Sequence, residues 1–553
     1  MTNAIIKLLD WMDIKGITKF YVAELLDMRL CAQIKSIVSK KNNLPYSNNN
    51  SHNKKVLFFT VQGRPNMLPV IEGLLAHSLN SRGAYSEMII CDRILPVCDL
   101  PFVTTSDAEL LCKACGTAAK RIYSSFKLPY HFFSQFINQH QINKAEEIVD
   151  SIKFEDYFGF EYLGVDIGKH VYSSVLRYLL KGSIGNDNFT KSICREYMKS
   201  AIIMAQISKK IIEELRPDSV VMHHGIYCTT GIFAEYAKKQ GIHIVVFTPA
   251  YRKNTYLFSH NDTYHRTLQD ESIDNWENLS FSEQHRKMLD GYLDSRRWGS
   301  QDFISYHPNP LESKLKIIKE LGLNVSKKTV GLFTNLSWDG QVVFHDTAFS
   351  SMVEWIMETI SFFIKRPDLQ LVIRIHPAEV KSTVETQQKL YPLIRDKFPD
   401  LPDNIKVVDS RSDISTYTLS ELVSTALVYT TKVGLEFAIK GIPVIVGGEA
   451  FYRGKGFTYD ADSKAEYFSL LDNLSNLKKN SPELIEKARK YAYYYFFRRF
   501  IPFNYTINRT WNNVVGINIK NLDELRSGRN KYLDLICAGI LENKPFVIDT
   551  SEI

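Results

Sequence analysis

The stretch YTTKVGLEFAIKGIPVIVGGEAFYRGKGFT, residues 429–458, decides the fold of this chain. It reads as a strand end, a hydroxyl-rich turn, a short helix over Val433–Lys440, a Gly-Ile-Pro turn and a second strand over Pro443–Val446. Gly441 is typical of the residue that ends a helix, and an unbroken apolar strand is typical of burial on both faces. The order strand, helix, strand predicts a βαβ unit in a parallel sheet.

The turn that precedes this helix has features of a phosphate site. Thr430 and Thr431 stand before the helix start, where free backbone N–H groups and the positive end of the helix attract anions. Glu436 lies one turn inside the helix, where a carboxylate can hold the paired hydroxyls of a ribose or a sugar. The alternative is an ordinary βαβ unit without a ligand. The coincidence of these residues with the loop at 447–448 favours a ligand.

Composition sets limits on the class of protein. The 553 residues are 44% hydrophobic and 23% charged, which is typical of a soluble globular protein with two or three domains. The net charge of +7 is too small to indicate a nucleic-acid binder, but it is compatible with acidic ligands such as nucleotides. No apolar run approaches the ~20 residues that cross a bilayer, and Asp10 interrupts the N-terminus before a signal peptide could form. Eight cysteines do not make a secreted disulfide scaffold, so the expected location is the cytoplasm.

Two blocks of alternating strands and helices run along the chain. The first contains strands at Val56–Val61 and Ser219–Met222, and the second contains strands at Thr329–Thr334 and Leu369–Ile375. The predicted fold class is therefore α/β, with two Rossmann-like domains facing a central cleft and helical N- and C-terminal extensions. The expected divisions are a helical extension and polar linker at 1–53, an N-terminal domain at 54–310, a C-terminal domain at 325–480, and a helical segment packing back on the body at 481–553.

An aromatic and basic segment, KYAYYYFFRRF at residues 490–500, lies in the C-terminal extension. Such a helix could dock on an anionic membrane surface, with its aromatic rings in the headgroup layer. It could equally pack inside the protein with its arginines at the rim, which is the more frequent outcome. The sequence therefore favours a packed helix and leaves peripheral contact with a membrane as the alternative.

In the second block, chemically useful residues follow the strand ends. The segment Thr334–Gly340 follows one strand, Arg374 and His376 end the next, and Asp409–Asp413 follows a third. Ligands of open α/β sheets lie in the crevice outside these ends. We expect His376 to donate to a phosphate oxygen, with Pro377 fixing the backbone. Arg374 is either a second phosphate contact or a buried ion-pair partner.

In the first block, four residues suggest acceptor binding or catalysis. Asp166 precedes a helix and could act as a general base toward an acceptor hydroxyl or simply cap that helix. His224 follows a strand, so an imidazole is expected to point into the cleft. Arg252 and Asp262 stand in a polar and aromatic stretch of the kind that holds sugars and carboxylates, and a solvated loop is the alternative.

Four cysteines, Cys91, Cys98, Cys112 and Cys115, have the spacing C-x6-C-x13-C-x2-C. The closer pair has the spacing of half a zinc site, and four thiolates would complete a tetrahedron. The first pair is spaced more widely than in most zinc sites, so buried thiols brought together by chance are the alternative. A structural zinc ion is one expectation, and neither interpretation gives these cysteines a catalytic role.

Several of these motifs together resemble the bacterial capsule polysaccharide biosynthesis family, which includes Kdo transferases of the two-Rossmann, GT-B type. The resemblance covers about residues 325–460 and implies a GT-B glycosyltransferase. The segments that carry it are Trp338-Asp339, Arg374–Pro377, Ser412–Tyr417, Thr430–Glu436, Gly441–Pro443 and Gly448–Gly454.

The resemblance also implies roles for single residues. The His-Pro pair is similar to the pair by which bacterial sialyltransferases hold the phosphate of a CMP-sugar. By that likeness His376 and the turn Thr430–Gly434 bind donor phosphates, and Glu436 binds the ribose. The implied donor-binding set is Asn335, Trp338, Arg374, His376, Ser415, Thr430, Thr431, Gly434 and Glu436. The sialyltransferases take their base from an Asp-Gly motif that Gly164–Gly168 only approximates, so Asp166 and His224 are catalytic candidates by position alone.

The leading hypothesis is a cytoplasmic glycosyltransferase that moves a sugar from a nucleotide donor to a surface polysaccharide such as capsule or lipopolysaccharide. Kdo or a related acidic sugar from a CMP donor is the favoured case. The first domain would bind the glycan or glycolipid acceptor through Arg252 and Asp262, and the second would bind the donor without a catalytic metal. Contact with the inner membrane or with polysaccharide assembly machinery is compatible with this hypothesis, and nucleic acid is not an expected partner. A nucleotide-sugar epimerase and a non-catalytic scaffold of an assembly complex are the alternatives.

Overall fold

The computed structural model describes residues 17–40, 54–100, 108–304, 310–340, 348–382, 384–474, 476–477, 479–510 and 512–549. Within these residues the chain forms two layered α/β domains, each built on a mostly parallel sheet with apolar clusters on both faces. The α/β fold class expected from the sequence is therefore confirmed. Residues 1–16 and 41–53, which belong to the expected N-terminal extension and linker, lie outside the described residues.

The first part of the chain supplies one sheet and its helices. Its strands are β1 (Lys54–Thr60), β2 (Ala84–Ile90), β3 (Tyr130–Phe132), β4 (Glu161–Tyr162), β5 (Val165–Asp166), β6 (Ser219–His223), β7 (His243–Pro249) and β8 (Thr255–His260). Its α-helices are α1 (Ile17–Ser39), α2 (Met67–Asn80), α3 (Ala108–Phe126), α4 (Gln139–Ser151), α5 (Ile167–Leu179), α6 (Asn188–Leu215), α7 (Thr230–Lys239), α8 (Tyr264–Gln269) and α9 (Glu283–Trp298).

The second part supplies another sheet and then returns to the first. Its strands are β9 (Thr329–Phe333), β10 (Gln370–Arg374), β11 (Ile405–Val408), β12 (Thr425–Val428), β13 (Val444–Val446), β14 (Tyr459–Asp460), β15 (Ile501–Pro502), β16 (Thr506–Thr510) and β17 (Asn513–Ile517). Its α-helices are α10 (Lys314–Leu321), α11 (Met352–Ile364), α12 (Ala378–Lys381), α13 (Leu390–Lys397), α14 (Thr416–Ser420), α15 (Val433–Ile439), α16 (Lys464–Asp472), α17 (Pro482–Tyr493) and α18 (Lys531–Glu542).

The C-terminal sheet has the strand order β11–β10–β9–β12–β13–β14, and all its pairs are parallel. Counted along the chain this is 3-2-1-4-5-6, the Rossmann order, whose direction reverses between β9 and β12. All residues of β9, β10 and β12 are buried, as expected for parallel strands covered on both faces. Phe333 pairs with Arg374 on one side and with Val428 on the other, so three strands end in register at the same edge.

The N-terminal sheet repeats this plan with an extra antiparallel edge. Its order is β15–β8–β7–β6–β1–β2–β3, in which β3, β2, β1, β6 and β7 are parallel. Strands β8 and β15 run antiparallel to their neighbours. The direction of the strand order reverses between β1 and β6, so the loops after these two strands mark the crevice of this domain. Two Rossmann-like sheets joined in this way form the GT-B arrangement.

The end of the chain joins both domains. Helix α17 packs against α15 of the C-terminal domain, whereas Ile501 of β15 pairs with Tyr256 of β8 and α18 lies in the apolar core of the N-terminal sheet. The aromatic segment 490–500 belongs to the core at this crossing, since its aromatic side chains are all buried. The packed-helix interpretation of this segment is the one that the structure supports, and its rings are not available to a membrane surface.

The two domains are in direct contact beside the cleft. Trp338, which follows β9, packs its buried indole against Leu176 and Leu180 at the end of α5. The backbone N–H of Gln387 donates to the carbonyl of Leu180 at 3.0 Å. This apolar contact closes one side of the cleft.

The described helices include none that is both long enough and apolar enough to cross a membrane.

Candidate functional site

A cavity of about 290 Å³ lies between the two domains, at the carboxyl ends of their strands. From the C-terminal domain it is lined by the loops after β9, β10 and β12 and by the start of α14. From the N-terminal domain it is lined by the loops after β6 and β7, and the segment after α9 forms its remaining wall. This is the crevice in which ligands of open α/β sheets bind.

His376 stands at the cavity on the loop after β10. Its backbone N–H donates to Thr334 Oγ1 at 2.9 Å, which ties the loops after β9 and β10 together. Its Nδ1 accepts a hydrogen bond from the backbone N–H of Ala378 at 3.1 Å. Because Nδ1 acts as the acceptor, this bond assigns the imidazole proton to Nε2. His376 can therefore present an N–H donor to an anionic oxygen in the cavity.

The turn between β12 and α15 forms the facing wall. Thr431 lies at the cavity, and its carbonyl accepts a hydrogen bond from the hydroxyl of Tyr452 at 2.7 Å. Gly434 allows this bond, because a Cβ on residue 434 would stand 2.0 Å from the Tyr452 hydroxyl oxygen. The side chain of Asn335 donates to Thr430 Oγ1 at 3.4 Å, joining this turn to the loop after β9. Gly434 and Asn335 were expected to contact the nucleotide-sugar donor, and in the structure they shape the turn around Thr431.

Arg374 and Ser415 hold the loops that surround His376. The buried guanidinium of Arg374 donates to the carbonyls of Asp409 at 2.7 Å and Ser412 at 3.1 Å, and burial lowers its pKa to about 10. Ser415 lines the cavity and caps α14 by accepting a hydrogen bond from the backbone N–H of Thr418 at 3.3 Å. Arg374 was expected to be either a phosphate contact or a buried ion-pair partner. In the structure it binds backbone carbonyls and so holds the loop after β11.

Glu436 lies under the cavity in a buried ionic network. Its carboxylate accepts a hydrogen bond from Arg296 Nε at 3.1 Å, and Arg296 also donates to Asp302 at 2.7 Å. The hydroxyl of Tyr292 donates to the second oxygen of Asp302 at 2.7 Å. Arg296 and Glu436 are both almost fully buried. Contact between Glu436 and a ribose stays a prediction, and it would require this ion pair to rearrange.

Lys432 and Tyr251 form a contact between the domains that the sequence analysis missed. The Lys432 Nζ lies 3.5 Å from the centroid of the Tyr251 ring, within cation–π distance. Lys432 belongs to the β12–α15 turn and Tyr251 to the hairpin after β7, and both line the cavity. Burial, and after it the neighbouring charge of Arg296, lowers the pKa of Lys432 to about 7. The sequence sign of this contact was limited to the presence of a lysine, Lys432, in the turn between Thr431 and Gly434.

His223 and His224 face the cavity from the end of β6. The backbone of His224 has a positive φ of 61°, a conformation that a non-glycine residue seldom adopts. Its N–H donates to the carbonyl of Phe247 at 3.3 Å. Burial, and after it the nearby Arg177, lowers the pKa of His224, so the ring is neutral, and its buried Nδ1 has no hydrogen-bond partner among the described residues. Of the two catalytic candidates, His224 is the one that the structure places at the cavity.

Asp166, Arg252 and Asp262 lie elsewhere. Asp166 is the cap of α5 and accepts a hydrogen bond from the backbone N–H of Lys169 at 3.3 Å, which is the helix-cap alternative. Arg252 stacks its guanidinium over the Phe497 ring at 4.8 Å. Asp262 pairs with Lys238 at 3.3 Å beside a second cavity of about 340 Å³ on the N-terminal domain. None of these three residues lines the central cavity, so the catalytic role of Asp166 and the acceptor roles of Arg252 and Asp262 stay predictions.

Trp338 and Asp339 connect the domains beside the cavity. The indole N–H of Trp338 donates to Thr386 Oγ1 at 3.0 Å, so Trp338 belongs to the domain contact and not to the cavity wall. Asp339 accepts hydrogen bonds from Arg177 at 3.0 Å and from the Tyr227 hydroxyl at 2.9 Å, both from the N-terminal domain. These contacts join the loop after β9 to α5.

The four cysteines of the expected zinc site surround one cavity of about 230 Å³ near the ends of β1 and β2. Burial raises the pKa of all four thiols, to about 12 for Cys91. Among the residues that the structure describes, no group of three potential ligands is arranged to hold a metal ion. Zinc binding stays a prediction, and it would require the thiols to move together.

Comparison with known proteins gives the family. A family model described as capsule polysaccharide biosynthesis protein matches residues 193–480, just over half of the chain. The chain therefore belongs to the capsule polysaccharide biosynthesis family. A search of curated proteins gave no significant match.

Among solved structures the chain is similar to KpsC of Thermosulfurimonas dismutans, described as a beta Kdo 2,4 transferase. The identity is 13%, the TM-score is 0.32, and the alignment covers 50% of this chain and 79% of that one. The UDP-GlcNAc 2-epimerase of Neisseria meningitidis, bound to UDP-GlcNAc, is 12% identical with a TM-score of 0.26, and the alignment covers 79% and 93% of the two chains. Family membership rests on the sequence match, and the fold rests on the strand orders given above.

Replacement of Gly434 by alanine tests the packing of the β12–α15 turn. The new methyl group would meet the Tyr452 hydroxyl, so Gly434→Ala is expected to break the bond to Thr431 and to lower the melting temperature by several degrees. Removal of that hydroxyl in Gly434→Ala/Tyr452→Phe should restore part of the loss. Gly159→Ala is the matched control, because a methyl group there meets open space. Equal melting temperatures for Gly434→Ala and wild type would contradict this packing.

Replacement of Asp339 by asparagine tests the contact between the domains. The exchange removes the charge that faces Arg177, so the closed arrangement is expected to be less populated. Because the Asp339 side chain is 53% exposed, the ion pair alone contributes only about 0–1 kcal/mol. Small-angle scattering should show a slightly larger radius of gyration for Asp339→Asn, with an unchanged melting temperature. Asp156→Asn, at an exposed aspartate of the N-terminal domain, is the control. An unchanged scattering profile for Asp339→Asn would contradict this prediction and would indicate that the other contacts between the domains hold them together without the ion pair.

Proposed function

We propose that this protein is a GT-B glycosyltransferase of polysaccharide assembly, with its nucleotide-sugar donor bound in the cavity between the domains. The observation that carries the proposal is the convergence of three C-terminal strand ends on one cavity that the N-terminal domain closes. Membership of the capsule polysaccharide biosynthesis family supports the same conclusion. The acceptor is a growing surface glycan or glycolipid.

The charge of the cavity suits a donor phosphate. His376 offers its Nε2–H, and Lys432 offers an ammonium group on the opposite wall. Asp302 also lines the cavity, but both of its oxygens are engaged by Tyr292 and Arg296. Hydrogen-bond donors and a cation without a competing carboxylate are what stabilise the negative charge that develops on a leaving phosphate. In this proposal these side chains supply that stabilisation.

The aromatic walls suit the nucleoside. Tyr417 and Phe333 line the cavity from the C-terminal domain, and Tyr251 lines it from the N-terminal domain. Pockets for organic ligands combine such walls with a few placed polar groups. A CMP-sugar is the donor that we favour, on the resemblance of the His-Pro pair to that of CMP-sugar enzymes.

The N-terminal histidines suit the acceptor side. His224 faces the cavity with a neutral ring whose Nδ1 has no hydrogen-bond partner among the described residues. We therefore assign this nitrogen to the acceptor hydroxyl, whose proton it would accept as the new glycosidic bond forms, with the negative charge of the bound donor favouring the protonated ring. The bond between the sugar and the donor phosphate breaks in the same reaction, and the phosphate leaves toward His376 and Lys432. Closure of the domains around the bound substrates is expected to exclude water, which would otherwise hydrolyse the donor.

A donor panel and a His376 variant test the proposal. Purified protein is incubated with CMP-, UDP- and GDP-sugars in a thermal shift assay. A donor that binds, supplied at a concentration well above its dissociation constant, should add a few kcal/mol of stability. With that donor and an acceptor glycan, His376→Ala is expected to reduce transfer about a hundredfold to a thousandfold without lowering the melting temperature. His140→Ala, an exposed histidine on α4, is the matched control.

Three outcomes would change the conclusion. Near-normal transfer by His376→Ala would refute its phosphate role. Isomerisation of the donor in the absence of an acceptor would indicate an epimerase. Binding of no nucleotide-sugar, together with normal glycan synthesis in cells that carry His376→Ala, would indicate a scaffold.

A further inference from the structure

The ammonium group of Lys432 occupies an unusual position in the cavity. It lies 3.5 Å from the centroid of the Tyr251 ring, so its nearest partner is an aromatic face from the other domain. The Tyr251 side of this contact is reachable from solvent, since that residue is 38% exposed. A ring face stabilises a cation less than a carboxylate or phosphate does.

The carboxylates near Lys432 are held by another cation. Glu436 of α15 binds Arg296 Nε, and Asp302 after α9 binds the terminal nitrogen of the same guanidinium. Arg296 of α9 is thus doubly paired, whereas its positive charge still acts on Lys432. Burial and this neighbouring guanidinium together lower the pKa of Lys432 to about 7, although Asp302 and Glu436 act in the opposite direction.

A lysine in such a place can change its charge when a ligand arrives. Lysine shifts its protonation state readily on burial, whereas arginine stays charged. A phosphate oxygen beside the ammonium adds a negative charge at a short distance, which favours the protonated form. Lys432 lines the same cavity as His376 and Thr431, so a phosphate held by those residues would lie near its amino group. Glu436 and Asp302 do not compete for that place, because both bind Arg296.

We propose that the cavity binds its anionic ligand together with one proton, which Lys432 takes up from solvent as a phosphate oxygen replaces the Tyr251 ring as its partner. The inference deepens the proposed function and rests on it only in requiring that the ligand carries a phosphate or similar anion. The charged lysine then stands beside the leaving phosphate. Loss of the same proton weakens the hold on the nucleotide product and favours its release.

The proposal sets the pH dependence of binding. The ligand prefers the protonated lysine, so its dissociation constant rises once the pH exceeds the pKa of Lys432 in the empty protein. Between pH 8 and pH 9 the dissociation constant is expected to rise about tenfold, one decade for each proton and pH unit. His223, His224 and His376 share the cavity and are the other groups that could take up a proton.

Calorimetry measures the proton directly. Binding of CMP is titrated at pH 8 in Tris and in HEPES, where the CMP phosphate is almost fully ionised, since phosphate monoesters have a second pKa of about 6. The difference in binding enthalpy between the buffers should correspond to uptake of roughly half a proton or more, because a lysine with a pKa of about 7 is largely neutral at pH 8. Sodium sulfate is titrated as an anion that has neither a nucleoside nor a proton to exchange.

Two variants decide which group takes up the proton. Lys432→Arg keeps a fixed charge, so it should bind CMP with less than about 0.2 proton taken up and with a dissociation constant that is flat between pH 8 and pH 9. Lys432→Met keeps the aliphatic stem and should bind CMP at least tenfold more weakly, also without proton uptake. Both variants are first checked for an unchanged melting temperature.

The outcomes separate this inference from the proposed function. Binding of CMP by the wild type with equal enthalpies in both buffers overturns proton uptake and leaves the transferase proposal standing. Uptake that persists in Lys432→Arg overturns the assignment to Lys432 and points to a histidine. Sulfate that binds with uptake of a proton, while no nucleotide binds, supports the inference and contradicts the nucleotide-sugar site.

Discussion

The structure depends on the parallel pairing of β9 with both β10 and β12. This pairing aligns Phe333 with Arg374 and with Val428, so the residues that follow each strand emerge at one edge of the sheet. A shift of register by one residue would turn the buried faces of these strands toward the wrong layer, which makes the alignment strongly specified. The positions of Thr334, His376 and Thr431 follow from it, and the hydrogen bond from His376 to Thr334 fixes two of the three loops to each other.

A second constraint comes from the buried charges that close the cavity. Arg296 is almost fully buried and is bound to Asp302 and Glu436, so removal of one partner would leave an uncompensated charge in the interior. This network connects α9 to α15 and therefore fixes the position of the β12–α15 turn relative to the segment between the domains. It also determines the chemistry at Lys432, because the carboxylates that could pair with this lysine already bind Arg296. The cavity thus has a lysine whose protonated form can pair with an anionic ligand.

Much of the fold could be predicted from the sequence, because strands buried on both faces and regularly spaced helices leave strong local patterns. The strand that begins at Thr329 and the helix from Val433 agree with expectation. The place of His376 and Thr431 at the cavity could be predicted, because the rule that ligands bind outside strand ends needs no distant contacts. The sequence could not decide between the two roles considered for Asp166, because a helix cap and a general base have the same local sequence. The ion pair of Glu436 with Arg296 and the contact of Lys432 with Tyr251 could not be predicted, because each partner lies more than a hundred residues away in the sequence.

The most direct measurement is a crystal structure of this protein with bound CMP. We predict that the phosphate lies between the loop after β10 and the β12–α15 turn, within about 3 Å of His376 Nε2 and of the Lys432 ammonium. A nucleotide found in the cysteine-lined cavity or in the second cavity of the N-terminal domain would contradict the proposed site. So would a phosphate in the central cavity that points away from both of these side chains.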